Sequence, residues 1–213
     1  MDFIDDTLVE YVEKYTQEEP SLLQKINRET YAKVLTPRML AGHLQGRVLS
    51  MLSNMIQPDS VLEIGTYTGY SAICLAEGLT PDGVLHTIDI NEELEEVVRG
   101  YFKEAGIEEQ VRYVIGNAID IIPEIKGSFD LVFIDADKEN YANYFDMVIG
   151  RVSQGGFIIA DNVLWSGKVL DDPQTMDEDT RALLEFSNKI QADQRVENVL
   201  FPIRDGIMVM RKL

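Results

Sequence analysis

Before residue 59 apolar side chains recur at three- and four-residue spacing: Leu8, Val9 and Val12, then Leu22, Leu23 and Ile26, then Leu44, Val48, Leu49, Leu52 and Met55. That spacing puts each set on one face of a helix, so the first part of the chain is expected to be helical. Pro20, Pro37 and Pro58 fall between the sets, where a residue with no N–H and a fixed φ starts or breaks a helix. From Ser60 the pattern changes to short β-branched or apolar runs at 61–64, 84–88, 111–115, 131–134 and 157–160. Runs of this kind predict parallel strands buried on both faces. Between them 70–77, 92–105 and 140–152 read as crossover helices, which makes an α/β chain with a doubly wound, Rossmann-like sheet. The end of the chain differs: 196–203 and 207–211 are strand-like and meet at Arg204-Asp205-Gly206, a hairpin-turn signal, so an antiparallel pair is expected there. The stretch from Ser166 to Thr180, with five acidic residues, is expected to be one long polar loop.

Composition narrows the setting. With 213 residues, 45% hydrophobic and 26% charged, the chain reads as a single globular domain, helical over 1–57 and Rossmann-like over 58–213. Nineteen Lys and Arg against 37 Asp and Glu give a net charge of −18, which repels a phosphate backbone and disfavours nucleic acid as a partner. No apolar run approaches the roughly 18 to 20 residues of a membrane span. The start, Met1-Asp-Phe-Ile-Asp-Asp, is acidic where a secretory signal is basic and then apolar, so a cytoplasmic protein is expected. The single cysteine, Cys74, excludes an internal disulfide.

The run Val61-Leu-Glu-Ile-Gly-Thr-Tyr-Thr-Gly-Tyr-Ser71 passes from a strand through a glycine turn into a helix. A dinucleotide site would place glycine where Glu63 stands, because the backbone there approaches a pyrophosphate. A carboxylate repels a pyrophosphate and favours a cationic, amine-bearing ligand, and S-adenosylmethionine (AdoMet), with a sulfonium and an amino group, fits. The plain alternative is a common glycine turn with a solvated Glu. Asp89 ends the second strand about twenty positions beyond the turn, where a ribose-binding carboxylate belongs; by spacing it equally suits a cap for the next helix together with Asn91. Gly116-Asn117-Ala118 follows the third strand and would line the same crevice. Tyr70 and Cys74 read as packing residues, and His86 as a core or sheet-face residue.

Two acidic clusters lie where apolar strands open into helices: Phe133-Ile-Asp-Ala-Asp-Lys138 and Ile159-Ala-Asp-Asn162. Asp135, Asp161 and Asn162 offer hard oxygen ligands with no thiolate or imidazole, the set suited to Mg²⁺, Mn²⁺ or Ca²⁺. Either cluster alone reads equally well as helix caps and a turn; their recurrence on adjacent strands favours a metal site.

Together these residues resemble the class I AdoMet-dependent, cation-dependent O-methyltransferases that include catechol and caffeoyl-CoA O-methyltransferases and small bacterial relatives. The resemblance covers most of the chain and is carried by 61–71, Thr87-Ile-Asp-Ile90, Val132-Phe-Ile-Asp-Ala-Asp-Lys-Glu-Asn-Tyr141, Ala160-Asp-Asn-Val-Leu-Trp165 and Asp205-Gly-Ile207. It implies a seven-stranded sheet with a reversed last strand and a divalent cation on Asp135, Asp161 and Asn162. It also implies cofactor contacts from Glu63, Gly65, Thr66, Ser71, Asp89, Ala118 and Asp135. By the same resemblance Met39 to Gly42, including Ala41, lies close to the sulfonium, although Gln45 stands where plant-type members carry an acid. A homodimer through the amino-terminal helices is a further family expectation.

The reaction so implied is methyl transfer to one hydroxyl of a vicinal aromatic diol. Phenols ionise near about pH 10, so a metal must stabilise the phenolate at neutral pH. Lys138 is the candidate to take the proton. A lysine is ordinarily charged, so the neighbouring metal would have to favour its neutral form; its ordinary role would be a surface cation beside Asp137 or Glu139. Trp165, Tyr141 and Tyr144 are candidate aromatic walls for the acceptor. The acidic loop disfavours polyanionic acceptors, so a small free catechol is expected over a coenzyme A ester, for which Arg28, Lys33, Arg38 and Lys168 are the available cations. Competing readings are methylation of a hydroxyuridine in tRNA, opposed by the charge; an NAD-dependent oxidoreductase, opposed by Glu63; and an AdoMet-binding scaffold, which has no use for Asp135, Asp161, Asn162 and Lys138 as a set.

Overall fold

The computed structural model describes residues 5–213, so the first four residues of the expected domain lie outside the described residues. The chain divides into two compact units, one ending at Ala118 and one running from Ile119 to Leu213.

The first unit opens with three helices, α1 (Asp6–Lys14), α2 (Ser21–Lys33) and α3 (Gly42–Ile56), as the spacing predicts. Pro20 is the N-cap of α2, and Pro37 starts a short 3-10 turn, Pro37–Met39. Then come β1 (Ser60–Ile64), α4 (Tyr70–Ala76), β2 (Val84–Asp89), α5 (Glu95–Glu104) and β3 (Val111–Ile115). All three strands are parallel in the order β3-β2-β1, with Glu63 opposite Thr87 and Thr87 opposite Tyr113. Every residue of α4 is buried. Gly46 permits this, since a Cβ there would stand 2.6 Å from a Tyr70 ring carbon and 3.0 Å from Cys74 Sγ. The division between units falls in α6 (Ala118–Ile121).

The second unit contains β4 (Phe129–Ile134), α7 (Tyr141–Ile149), β5 (Val152–Ala160), α8 (Glu178–Ala192), β6 (Val196–Phe201) and β7 (Ile207–Lys212). Here β4 and β5 are parallel, while β7 is antiparallel to both β5 and β6, giving the order β4-β5-β7-β6. The expected fold class, a seven-stranded mixed sheet with a reversed last strand, is therefore the observed one. No helix among the described residues is long and apolar enough to cross a membrane.

Three expectations need correction. The helix read over 140–152 stops at Ile149, and Val152 already belongs to β5, which takes in Gly155 and Gly156 through a register shift against β4. The helix read from Glu92 begins as a 3-10 turn, Glu92–Leu94, before α5. The polar stretch 166–180 is not one loop: a kinked 3-10 segment occupies Trp165–Leu170, and α8 begins at Glu178 behind its N-cap Asp177. Acidic residues in a first turn favour a helix start, because they face its unpaired N–H groups.

Candidate active site

In the first unit β1 ends in a turn that demands left-handed backbone, with φ of 100° at Gly65, 48° at Tyr67 and 78° at Gly69. The two glycines adopt this freely; Tyr67 is held instead by its N–H, which donates to Asp89 Oδ2 at 2.6 Å. Its phenol donates to the Thr36 carbonyl at 3.0 Å, tying the segment before Met39 to the turn. Asp89 Oδ1 accepts from the Asn91 N–H at 2.8 Å, and Asn91 in turn caps the 3-10 turn through Glu93 N. Asp89 thus braces two backbone segments, while the capping itself falls to Asn91. The Gly116 N–H donates to the Asp89 carbonyl at 2.8 Å, which brings the loop leading to Ala118 alongside.

Glu63 is fully buried, although both faces of its strand are apolar. Its Oε2 accepts from Thr87 Oγ1 at 2.5 Å, and Thr87 and Thr66 hydroxyls lie 2.5 Å apart, so Thr66 donates to Thr87 and Thr87 to Glu63. The solvated Glu of the plain alternative does not occur. Thr87 escaped the sequence reading; the signal was a hydroxyl inside an otherwise apolar strand, opposite a carboxylate in register. Ser71 is buried at the start of α4. Of the segment expected near the sulfonium, Ala41 is buried and Met39 is 61% exposed. His43 Nε2 lies 2.6 Å from the Gln17 carbonyl, so its ring ties α3 to the connection between α1 and α2. Tyr70 and Cys74 are packing residues as expected: burial pushes the Cys74 thiol up to about 12.

In the second unit the ends of β4 and β5 carry Asp135, Asp161 and Asn162, with Lys138 on the 3-10 turn Lys138–Asn140 between β4 and α7. Lys138 is buried, and its Nζ donates to Asn162 Oδ1 at 2.8 Å, Tyr141 Oη at 2.6 Å and Asp135 Oδ1 at 3.3 Å. An ammonium has three donors, and all are used. The surface cation beside Asp137 or Glu139 is therefore not what forms; Asp137 instead accepts from Tyr144 Oη at 2.6 Å. Asn162 sits at φ 58°, which turns its backbone so that its N–H donates to Asp161 Oδ1 at 2.7 Å.

Tyr141 is fully buried, edge-on to Phe186 of α8 with ring centroids 5.6 Å apart, so it is not an aromatic wall of an open pocket. Burial first, and then the carboxylates of Asp135 and Asp161, raise its phenol well above the ordinary range. It stays protonated, donating to the Asp161 carbonyl at 3.1 Å while accepting from Lys138. Tyr144, 3% exposed, is likewise a packing residue. Trp165 is half-buried; its ring lies 5.6 Å from Lys138 Nζ and 6.0 Å from Lys168 Nζ. Its indole N–H is buried without a partner among the described residues.

A family profile described as O-methyltransferase matches residues 13–213. The chain belongs to the O-methyltransferase family. The class of AdoMet-dependent enzymes that the motifs resemble is thus the one its membership identifies. This methyltransferase is 32% identical over 221 residues to caffeoyl-CoA O-methyltransferase 5 of Nicotiana tabacum, covering 98% of this chain and 92% of the relative. Among solved structures it resembles an O-methyltransferase from Bacillus cereus in complex with SAH, at TM-score 0.89 and 28% identity, covering 97% of each chain. It also resembles TomG of Streptomyces achromogenes, involved in tomaymycin synthesis and solved with SAM, at TM-score 0.88 and 28% identity, covering 97% of this chain and 96% of that one.

The donor sets fit the groups that such a family implies. Asp135 Oδ1 and Asn162 Oδ1 already converge on one buried positive charge, and both are hard oxygens of the kind Mg²⁺ takes. Glu63 and Asp89 place carboxylates beside a glycine turn, which favours a cationic sulfonium and a ribose over a pyrophosphate.

Proposed function

We propose that this methyltransferase moves the methyl group of AdoMet to one hydroxyl of a vicinal aromatic diol of the catechol type, with a divalent cation at Asp135, Asp161 and Asn162. The observation that carries the reading is the convergence of Asp135 and Asn162 oxygens, from the ends of neighbouring strands, on a single buried cation. Glu63, Gly65, Thr66, Ser71, Asp89 and Ala118 hold the donor, with Met39 and Ala41 near its sulfonium. The cation, when bound, supplies Lewis-acid stabilisation of the phenolate.

The chain's own residues do the rest. Lys138, whose Nζ lies beside both Asp135 and Asn162, is the base that takes the hydroxyl proton once its own has passed to solvent. Tyr141 holds the amine from behind and keeps its own proton. As the O–CH₃ bond forms the S–CH₃ bond breaks, and S-adenosylhomocysteine leaves. Trp165 forms one wall for the acceptor ring. The family profile covers 13–213 without interruption, which supports one catalytic domain.

A second reading has an observation in its favour: the tobacco relative named for caffeoyl-CoA suggests a diol carried on a coenzyme A thioester. Against it, Lys33 and Lys168, two of the cations available for such a polyanion, are paired with Glu29 and Asp177. A homodimer is part of the proposal, supported by exposed Leu8 and Tyr11 on α1, Tyr15 just after it and Tyr31 on α2, and sedimentation equilibrium tests it. Cytoplasmic residence is proposed on the lone, buried thiol.

The deciding experiment incubates purified protein with AdoMet and a panel of catechols, hydroxycinnamates and their coenzyme A esters, with Mg²⁺ and with EDTA, and reads products by mass spectrometry. Methylated catechol that vanishes with EDTA supports the proposal. Product from the thioesters alone would move it to the second reading, and product indifferent to EDTA would remove the metal.

A further inference from the structure

Because β7 runs against β5, its beginning, and not its end, meets the site. Ala160 faces Met208, so the turn Arg204-Asp205-Gly206 lies beside the residues that follow β5. The Val163 N–H donates to the Gly206 carbonyl at 3.2 Å and the Leu164 N–H to the Asp205 carbonyl at 2.8 Å. The Ser166 N–H donates to Asp205 Oδ1 at 2.5 Å. This closeness needs glycine at 206, where φ is 88° and a Cβ would stand 2.4 Å from Leu164 Cγ.

The segment so strapped is conformationally unfavourable. Trp165, Ser166 and Gly167 are all left-handed, at φ 47°, 54° and 81°, and the first two carry a Cβ that disfavours this region. Trp165 N and Gly167 N make local turn bonds to the Asn162 and Leu164 carbonyls, at 3.1 and 2.8 Å. Only Ser166 N is tied to a residue far along the chain, and that residue is Asp205. The Trp165 ring meanwhile lies over Lys138, whose Nζ is bonded to Asp135 and Asn162.

We propose that Asp205 is a positioning residue: its carboxylate clamps Ser166 and thereby fixes the indole of Trp165, so that the carboxyl-terminal hairpin helps to set acceptor recognition. The inference rests on the reading of Trp165 as an acceptor wall. It gives Asp205-Gly206, a motif with no role in the chemistry above, a place in the function.

Trp165 is the single tryptophan of the chain, so intrinsic fluorescence reports its position without any turnover. Asp205→Ala is expected to red-shift the emission, increase quenching by acrylamide, and raise the acceptor KM about tenfold, since misplacement by about 1 Å costs up to about a hundredfold. The KM for AdoMet should not change. Asp205→Asn, whose side-chain carbonyl still accepts from Ser166, should keep wild-type emission and KM. Asp205→Glu keeps the charge but moves the oxygen outward by one methylene, so it should behave like the alanine variant, and it serves if the alanine variant fails to fold. Wild-type emission and quenching in both the alanine and glutamate variants, even with a lowered Tm, would overturn the clamp. Shifted emission with an unchanged acceptor KM would overturn Trp165 as an acceptor wall, and with it the role in recognition, while leaving methyl transfer itself intact.

Discussion

Lys138 Nζ donates to Tyr141 Oη at 2.6 Å, one turn of chain away, and neither side chain is exposed by more than a few per cent. A buried lysine whose every donor is met does not wander, so the amine is held at one point.

Lys138→Ala should therefore lower kcat by about a hundredfold or more, the usual contribution of a positioned acid or base. AdoMet affinity should stay within about twofold, because an interaction made chiefly with the reacting hydroxyl changes kcat and not donor binding. Steady-state kinetics beside calorimetric titration of AdoMet separates the two; equal losses in both would count against Lys138 as the proton acceptor.

Tyr141→Phe keeps the packing against Phe186 but removes the phenol oxygen that accepts from the buried Lys138 Nζ. An unmet buried polar group costs about 1–3 kcal/mol. The urea midpoint should fall accordingly, with turnover reduced less than in Lys138→Ala. An unchanged midpoint would show that the bond between Lys138 and the phenol adds nothing to stability.

Helix packing gives a sharper test of the first unit. Gly46→Ala puts a methyl 2.6 Å from the Tyr70 ring, in a place where both partners are buried. Overpacking of this kind costs about 1–3 kcal/mol, which denaturant unfolding measures directly. A wild-type midpoint would show that α3 and α4 can separate without loss.

Much of this was legible in the sequence, for physical reasons that differ by element. Strands β1 and β4 were plain because a parallel strand buried on both faces leaves a nearly unbroken apolar run, whereas β3, at the sheet edge, buries only alternate residues. The start of β5 was hidden by Gly155-Gly156, which breaks the run while the chain continues in the sheet through a bulge. Helix α8 carries Leu183, Phe186 and Ile190 at helical spacing, but the acids before them read as a loop when they were its cap and first turn. At the site, residue types and strand ends singled out Asp135, Asp161 and Asn162 as candidates, and the structure sets Asp135 and Asn162 around one amine. Spacing could not say that Lys138 turns inward, since its contact with Asp135 depends on how the chain bends through 136–137 before the 3-10 turn Lys138–Asn140 begins. Tyr141 read as a wall for the same reason: an aromatic after a lysine carries no mark of full burial.

Acid should weaken the α8 cap. The Thr180 hydroxyl first, then the Thr180 N–H and Lys168, hold the exposed Asp177 carboxyl below its ordinary 3.8, at about 2. A folded value below the unfolded one adds stability above the unfolded value, and that stability is lost as pH falls from about 3.8 through about 2. Asp177→Ala should thus lower the Tm at neutral pH, with the gap to wild type closing across that window. A gap that persists at the acid end would assign the cap's effect to something other than its charge.

Cys74 supplies the remaining test. Desolvation raises its thiol to about 12, against a partial lowering by the neighbouring Arg47, so the thiolate is negligible at pH 8 in the folded protein. Since Cys74 is wholly buried on α4, reagent must wait for that helix to open. A disulfide-exchange reagent should find no thiol in the native protein and one in guanidinium, with a native rate that tracks unfolding and not thiolate concentration. Gly46→Ala, by crowding Cys74 Sγ, should speed the native reaction in proportion to its loss of stability. Fast labelling of wild type at pH 8 would show that α4 opens far more readily than its complete burial implies.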